Sequence, residues 1–188
     1  MRKIRGNYDD KNIITKISQQ LLNIMDKNNG NIVIVNIGTD RCIGDSLAPF
    51  VGTILKENDL QIPVYGTIKN PIHALNLEKE IRSIKNKHPN ATIIGIDACL
   101  GKKENIGTIE IGEKPVYPGK GVGKELLAVG EYSIMGTVEE FDNGIEFATG
   151  NNIRLDFILQ MSKSIAKAII KSVNYYYIEN NEIAICNL

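Results

Sequence analysis

The chain has 188 residues, 43% hydrophobic and 23% charged, with 22 basic side chains against 22 acidic ones and a formal net charge of zero. That is the balance of an ordinary globular protein of one domain, 1–188, with no overall basic excess for nucleic acid or an anionic membrane. Cys42, Cys99 and Cys186 are too widely spaced for a disulfide framework or a zinc site, and no run approaches the roughly 18 apolar residues of a membrane span.

A reducing, cytoplasmic setting is therefore expected, with no nucleic-acid or membrane partner, no cofactor and no bound metal. The start, Met1 to Gly6, is basic, but no apolar stretch of a secretion signal follows it. Charge is uneven along the chain: residues 125–146 hold six acids and no base, the pattern of a solvated face.

In chain order, residues 12–27 place Ile13, Ile14, Ile17, Leu21, Leu22 and Met25 at helical spacing, and an Asn/Gly cluster follows as a stop. Residues 32–37 are a short, β-branched, continuously apolar run, the mark of a strand buried on both faces. A loop, 38–44, leads to a helix expected over 45–57, with Pro49 in its first turn, where a missing N–H loses nothing. The rhythm repeats. A strand is expected over 62–68, a helix over 74–87 and a strand over 91–97. Strand–helix–strand–helix–strand with short connections predicts a parallel sheet covered by helices.

After Asp97 the rhythm changes. Residues 105–111 read as a strand with no helix before it, so it can join the sheet antiparallel. Residues 114–124 form a loop rich in Gly and Pro, 125–129 a helical turn and 132–141 another strand. A long amphipathic helix follows over 152–173, and 175–185 reads as an edge strand. The expected fold class is α/β: a three-layer α/β/α sandwich with a mostly parallel central sheet, phosphorylase/hydrolase-like.

Ligands of such sheets bind beyond the carboxyl ends of the strands. The loops that meet there carry Asp40 and Asp45, then His73, then Asp97. Asp45, ahead of Ser46-Leu47-Ala48-Pro49, reads as a helix cap when taken alone. Asp97 ends a buried strand, where a carboxylate is costly unless paired or used. If the two face each other they share a proton, and one can act as base while its neighbour acts as acid. His73 stands at a helix start, as a cap or a proton donor at the rim. A Cys–His nucleophile built from Cys99 or Cys42 with His73 has no local sequence behind it. Pro118-Gly119-Lys120-Gly121-Val122-Gly123-Lys124-Glu125 fails as a phosphate loop, because Pro118 takes the first glycine position and Glu125 the Ser/Thr position. Its glycines suit a loop that lets a substrate backbone approach closely.

Four motifs in order carry a family resemblance. They are Gly38-Thr39-Asp40-Arg41-Cys42-Ile43-Gly44-Asp45-Ser46-Leu47-Ala48-Pro49, Ile96-Asp97-Ala98-Cys99-Leu100, Gly107-Thr108-Ile109-Glu110-Ile111 and Pro118-Gly119-Lys120-Gly121-Val122-Gly123. From about residue 31 to residue 140 the chain resembles the YyaC family of sporulation proteins. It is also similar to the spore germination protease, and to the α/β/α fold that protease shares with the hydrogenase maturation proteases.

The resemblance implies an aspartic-type peptidase with Asp45 and Asp97 as its acid/base pair. The substrate side would hold Asp40, His73, Gly119, Lys120, Gly121 and Gly123. It implies a protein or peptide substrate, such as a spore protein, in the cytoplasm of a sporulating cell or spore, with oligomer formation open. Lys120, near the position of a histidine in the maturation proteases, repels a cation and argues against metal sensing. Two rival readings stand beside this one. One is a binding protein that keeps the fold without catalysis; the other is metal-assisted hydrolysis with Asp40 or His73 joining the two aspartates.

Overall fold

The computed structural model describes residues 4–119, 126–140 and 153–186. In chain order these form β1 (Ile4–Asn7), α1 (Lys11–Lys27), β2 (Ile32–Asn36), a 3-10 turn (Gly44–Ser46) leading into α2 (Leu47–Glu57), β3 (Val64–Tyr65) and α3 (Leu77–Lys87). Then come β4 (Thr92–Gly101), a second 3-10 turn (Lys103–Asn105), β5 (Thr108–Gly112), β6 (Tyr132–Glu140) and α4 (Leu155–Cys186). The six strands make one mixed sheet in the order β1-β5-β6-β4-β2-β3. β3, β2, β4 and β6 run parallel, while β5 is antiparallel to both β6 and β1. The expected α/β class, with helices on both faces of the sheet, holds.

Side-chain alternation along the strands divides the core in two. Ile94, Ile96 and Ala98 of β4 join Ile32 and Ile34 of β2 beneath α1, α2 and α4. Ile93 joins Val33 and Val35 on the opposite face, where Leu77, Ile81 and Ile84 of α3 pack beside Val116 and Val129. α2 and α3 fall on opposite faces for a topological reason. The chain steps from β2 outward to β3 through α2, then back past β2 to β4 through α3. Right-handed crossovers in opposite directions put their helices on opposite faces.

Three expectations are corrected, and one strand is added to those expected. The basic start was assigned no element, yet Ile4–Asn7 forms β1 and pairs antiparallel with β5. The strand expected over 62–68 is only two residues long. Residues 126–129 do not form a helical turn; Val129 instead bridges Val116 antiparallel, and Glu125 lies outside the described residues. The tail 175–185 is no edge strand. It continues α4, with the Tyr176 ring against Gly30 and the Tyr177 hydroxyl donating to the Gln61 carbonyl at 3.4 Å. Three consecutive tyrosines favour a strand by propensity, and packing on the ends of α1 and α2 overrides it. No helix of the described residues is long and apolar enough to cross a membrane.

Candidate functional site

β2 and β4 are neighbours at which the strand order reverses, the position where an open α/β sheet leaves a crevice at its carboxyl edge. The pairing shows the split. β2 follows β4 as far as Asn36 opposite Ile96, after which Ile37 turns to bridge Ile72 and the Gly38 N–H donates to the Ile72 carbonyl at 2.8 Å. β4 continues alone on that side for five more residues, held by β6 on its other side. Asp97 is therefore not the end of its strand, as the sequence implied. It is the first residue past the split, on the α3 side of the sheet. It is 8% exposed, and its Oδ1 accepts from the Ala98 N–H at 2.8 Å.

Asp45 reaches the same crevice from the turn before α2. Ser46, not Asp45, occupies the position preceding α2, and no side chain caps that helix, so the cap reading does not hold. The loop is drawn closed by the Thr39 N–H donating to the Asp45 carbonyl at 3.1 Å. Gly38 makes the closure possible. Its φ is +144°, and a Cβ there would land on the Asp45 carbonyl oxygen.

The cleft has a volume of about 770 Å³ and takes its walls from four places: the loop after β2, residues 73–75, the end of β4, and the connection from β5 to β6. That connection reaches the cleft because Gly95 leaves room for it. A Cβ on Gly95 would stand 2.6 Å from the Val116 Cγ2.

Burial pushes the Asp45 carboxyl up to about 6, against the opposing pull of the Thr39 backbone N–H and of His73. Burial drives Asp97 well above the usual carboxylate range, the Asp45 charge drives it further, and the Ala98 N–H opposes both. Asp97 thus senses the charge that Asp45 carries once ionised. The asymmetry is physical: each carboxyl has one backbone donor, but only Asp45 has the imidazole as well, so the anion is favoured there and the proton stays on the more buried Asp97.

The other expected residues divide. His73 and Gly119 line the cleft. The His73 N–H donates to the Asn76 Oδ1 at 2.8 Å and its Nδ1 accepts from the Leu75 N–H at 3.3 Å, so the ring is held in a turn ahead of α3. Asp40 is exposed and does not line the cleft. Lys120, Gly121 and Gly123 lie outside the described residues. Cys99 lines the cleft, but burial pushes its thiol up, the wrong direction for a nucleophile. Among the described residues no group of three His, Cys, Asp or Glu side chains could hold a metal ion. Thr39, Arg41, Leu75 and Tyr117 also line the cleft and were not singled out from sequence. Only Leu75 carried a signal, being an apolar residue off the Leu77, Ile81, Ile84 stripe of α3.

Residues 5–168 match the family model described as protein of unknown function DUF1256, a span that contains both aspartates. The chain belongs to this family. A curated relative, the uncharacterized protein YyaC of Bacillus subtilis (strain 168), is 41% identical over 139 residues, which cover 73% of this chain and 67% of that protein. The kinship with YyaC expected from the four motifs therefore holds. Among solved structures, the [NiFe] hydrogenase maturation protease HycI of Thermococcus kodakarensis KOD1 aligns with a TM-score of 0.48 at 18% identity, over 79% of this chain and 97% of that one.

Proposed function

We propose that this member of the DUF1256 family is a peptidase that hydrolyses a protein or peptide with Asp45 and Asp97 as its acid/base pair. The observation that carries the reading is the coupling of two carboxyls in one cleft at the switch point of the sheet, with Asp45 pushed up to about 6 and Asp97 held protonated by burial and by its neighbour. The resemblance of both aspartate motifs to those of the spore germination protease supports a protein substrate in the cytoplasm of a sporulating cell.

The chemistry follows from the asymmetry of the pair. Ionised Asp45 takes a proton from a water in the cleft, and the oxygen of that water attacks the amide carbon. Asp97 gives its proton to the carbonyl oxygen. The tetrahedral intermediate collapses as the oxygen returns its proton to Asp97 and the nitrogen leaves with the proton now on Asp45, so both carboxyls regain their starting states. This division predicts a bell-shaped rate. Activity rises as pH passes about 6, where Asp45 ionises, and falls at higher pH, where Asp97 loses its proton.

The test is hydrolysis of spore-protein substrates by the purified chain, with Asp45→Asn and Asp97→Asn beside it. Each substitution is expected to reduce kcat/KM by at least about 100-fold, the scale of general acid–base catalysis. Cleavage that survives both substitutions removes the pair from the mechanism. Substrate binding without turnover at any pH favours the binding-protein reading.

A further inference from the structure

A second cavity, of about 890 Å³, lies between α3 and residues 126–127, and it shares Ala74, Leu75 and Leu126 with the cleft of the aspartates. The two volumes therefore meet at one rim. Each alone is the size of a small-molecule pocket, about 300–1,000 Å³, and together they suit an extended chain. This rim is apolar and open: Leu75, shared by both cavities, is 84% exposed, and Leu127 of the second cavity is 49% exposed. Tyr117, 52% exposed, lines the aspartate cleft as well, so large apolar side chains in contact with solvent gather on this end of the sheet.

The wall of the second cavity is basic. Lys79, Arg82 and Lys87 of α3 face it, against one acid, Glu78. Glu78 is taken up by Arg82 at 3.3 Å, and among the described residues Lys79 and Lys87 have no ion-pair partner. Among the described residues the groove thus offers two positive charges without an ion-pair partner, next to an apolar rim, in a chain whose net charge is zero. Nucleic acid is a poor match. This wall has no aromatic side chain on which a base could stack, and its charge excess is small.

We propose that this groove is the second half of the substrate cleft and takes the acidic flank of an extended peptide, with an aliphatic side chain of that peptide against Leu75. The occupant's being a peptide rests on the peptidase reading; the charge and apolar preferences rest on the groove alone.

The experiment measures binding, so it is separate from turnover. Three fluorescein-labelled peptides share a Leu-Ala-Leu centre and carry on both sides Glu-Asp-Glu, Gln-Asn-Gln or Lys-Lys-Lys. Fluorescence anisotropy is followed with the full chain, with Lys79→Glu/Lys87→Glu, with the milder Lys79→Gln/Lys87→Gln and with Leu75→Ser. All three variants lie on the surface, and their folding is checked by circular dichroism. The acidic peptide is expected to bind about tenfold more tightly than the neutral one, the reach of two exposed charge pairs. The Gln variant loses that preference and the Glu variant transfers it to the lysine peptide. Leu75→Ser weakens all three peptides alike.

Equal affinity for the three peptides overturns the proposal, and so does an acidic preference that survives both charge variants. Binding of oligo-dT that depends on Lys79 and Lys87 and exceeds that of the acidic peptide overturns it in favour of a nucleic-acid groove. If the acidic preference appears but nothing is cleaved at any pH, the groove stands and the peptidase reading fails.

Discussion

The charge on Asp45 raises the cost of ionising Asp97, which can be tested without knowing the substrate. In Asp45→Asn the neighbouring negative charge is gone while the burial of Asp97 is unchanged. The Asp97 midpoint, followed by carboxyl-carbon NMR across a pH titration, is expected to fall yet stay above the ordinary carboxylate range, because desolvation is the largest cause of its shift. An unmoved midpoint means that the two carboxyls do not share the cleft. At this scale the sequence was informative about Asp97, since a carboxylate within Ile93-Ile94-Gly95-Ile96 and beyond is costly wherever it points. It was ambiguous about Asp45, because a residue before Ser-Leu-Ala-Pro satisfies the rules for a helix cap whether or not it caps. The deciding features, the Thr39 N–H and the Gly38 backbone at φ +144°, are properties of loop closure that no residue pattern announces. Asp40 failed for the same reason: five residues from Asp45 in a loop, it faces solvent instead of the cleft.

Among the elements, the connection between β5 and β6 is what turns a sheet edge into a cleft, and it depends on Gly95. Gly95→Ala puts a Cβ 2.6 Å from the Val116 Cγ2 and 3.2 Å from the Val129 carbonyl oxygen. Val116 is β-branched and stiff, so the contact cannot be relieved by a distant rotamer. The substitution is expected to destabilise by about 1–3 kcal/mol, the cost of overpacking. Val116→Ala removes the obstructing methyls, so Gly95→Ala/Val116→Ala should cost less than the sum of its two single variants in urea unfolding. Strict additivity would detach Val116 from Gly95. The elements most legible in sequence were those with a strong period or a long apolar run: α1, β2, α3 and the body of α4. The corrections fall where tertiary contacts decide. β1 is stabilised by β5 and not by its own composition, β4 outruns its apolar core because β6 accompanies it to Glu140, and the last turns of α4 lie against Gly30 and Gln61.

Across the whole molecule, the pair sets a pH dependence opposite to that of a protein held together by carboxylate ion pairs. The ion pairs among the described residues are exposed, or exposed on one side, and contribute little. The buried carboxyls bind protons more tightly in the folded than in the unfolded chain, so between the two midpoints the native state carries more protons. Stability then falls as pH rises. For Asp45 the loss begins near its ordinary value of 3.8 and is complete above about 6, a change on the order of 3 kcal/mol. Asp97 is shifted in the same direction and further, which extends the decline toward higher pH. Asp45→Asn/Asp97→Asn removes both titrations. Measured by urea unfolding, the double variant is therefore expected to be more stable than the parent at pH 8, by about 3 kcal/mol or more, with the advantage shrinking toward zero near pH 4. A gain independent of pH would trace to packing rather than charge, and a loss at pH 8 would mean that the carboxylates are compensated by groups the cleft does not show. The expected result leaves the chain holding a destabilising pair in the cleft at the carboxyl edge of its sheet, a burden of the kind that proteins carry at sites where a function depends on it.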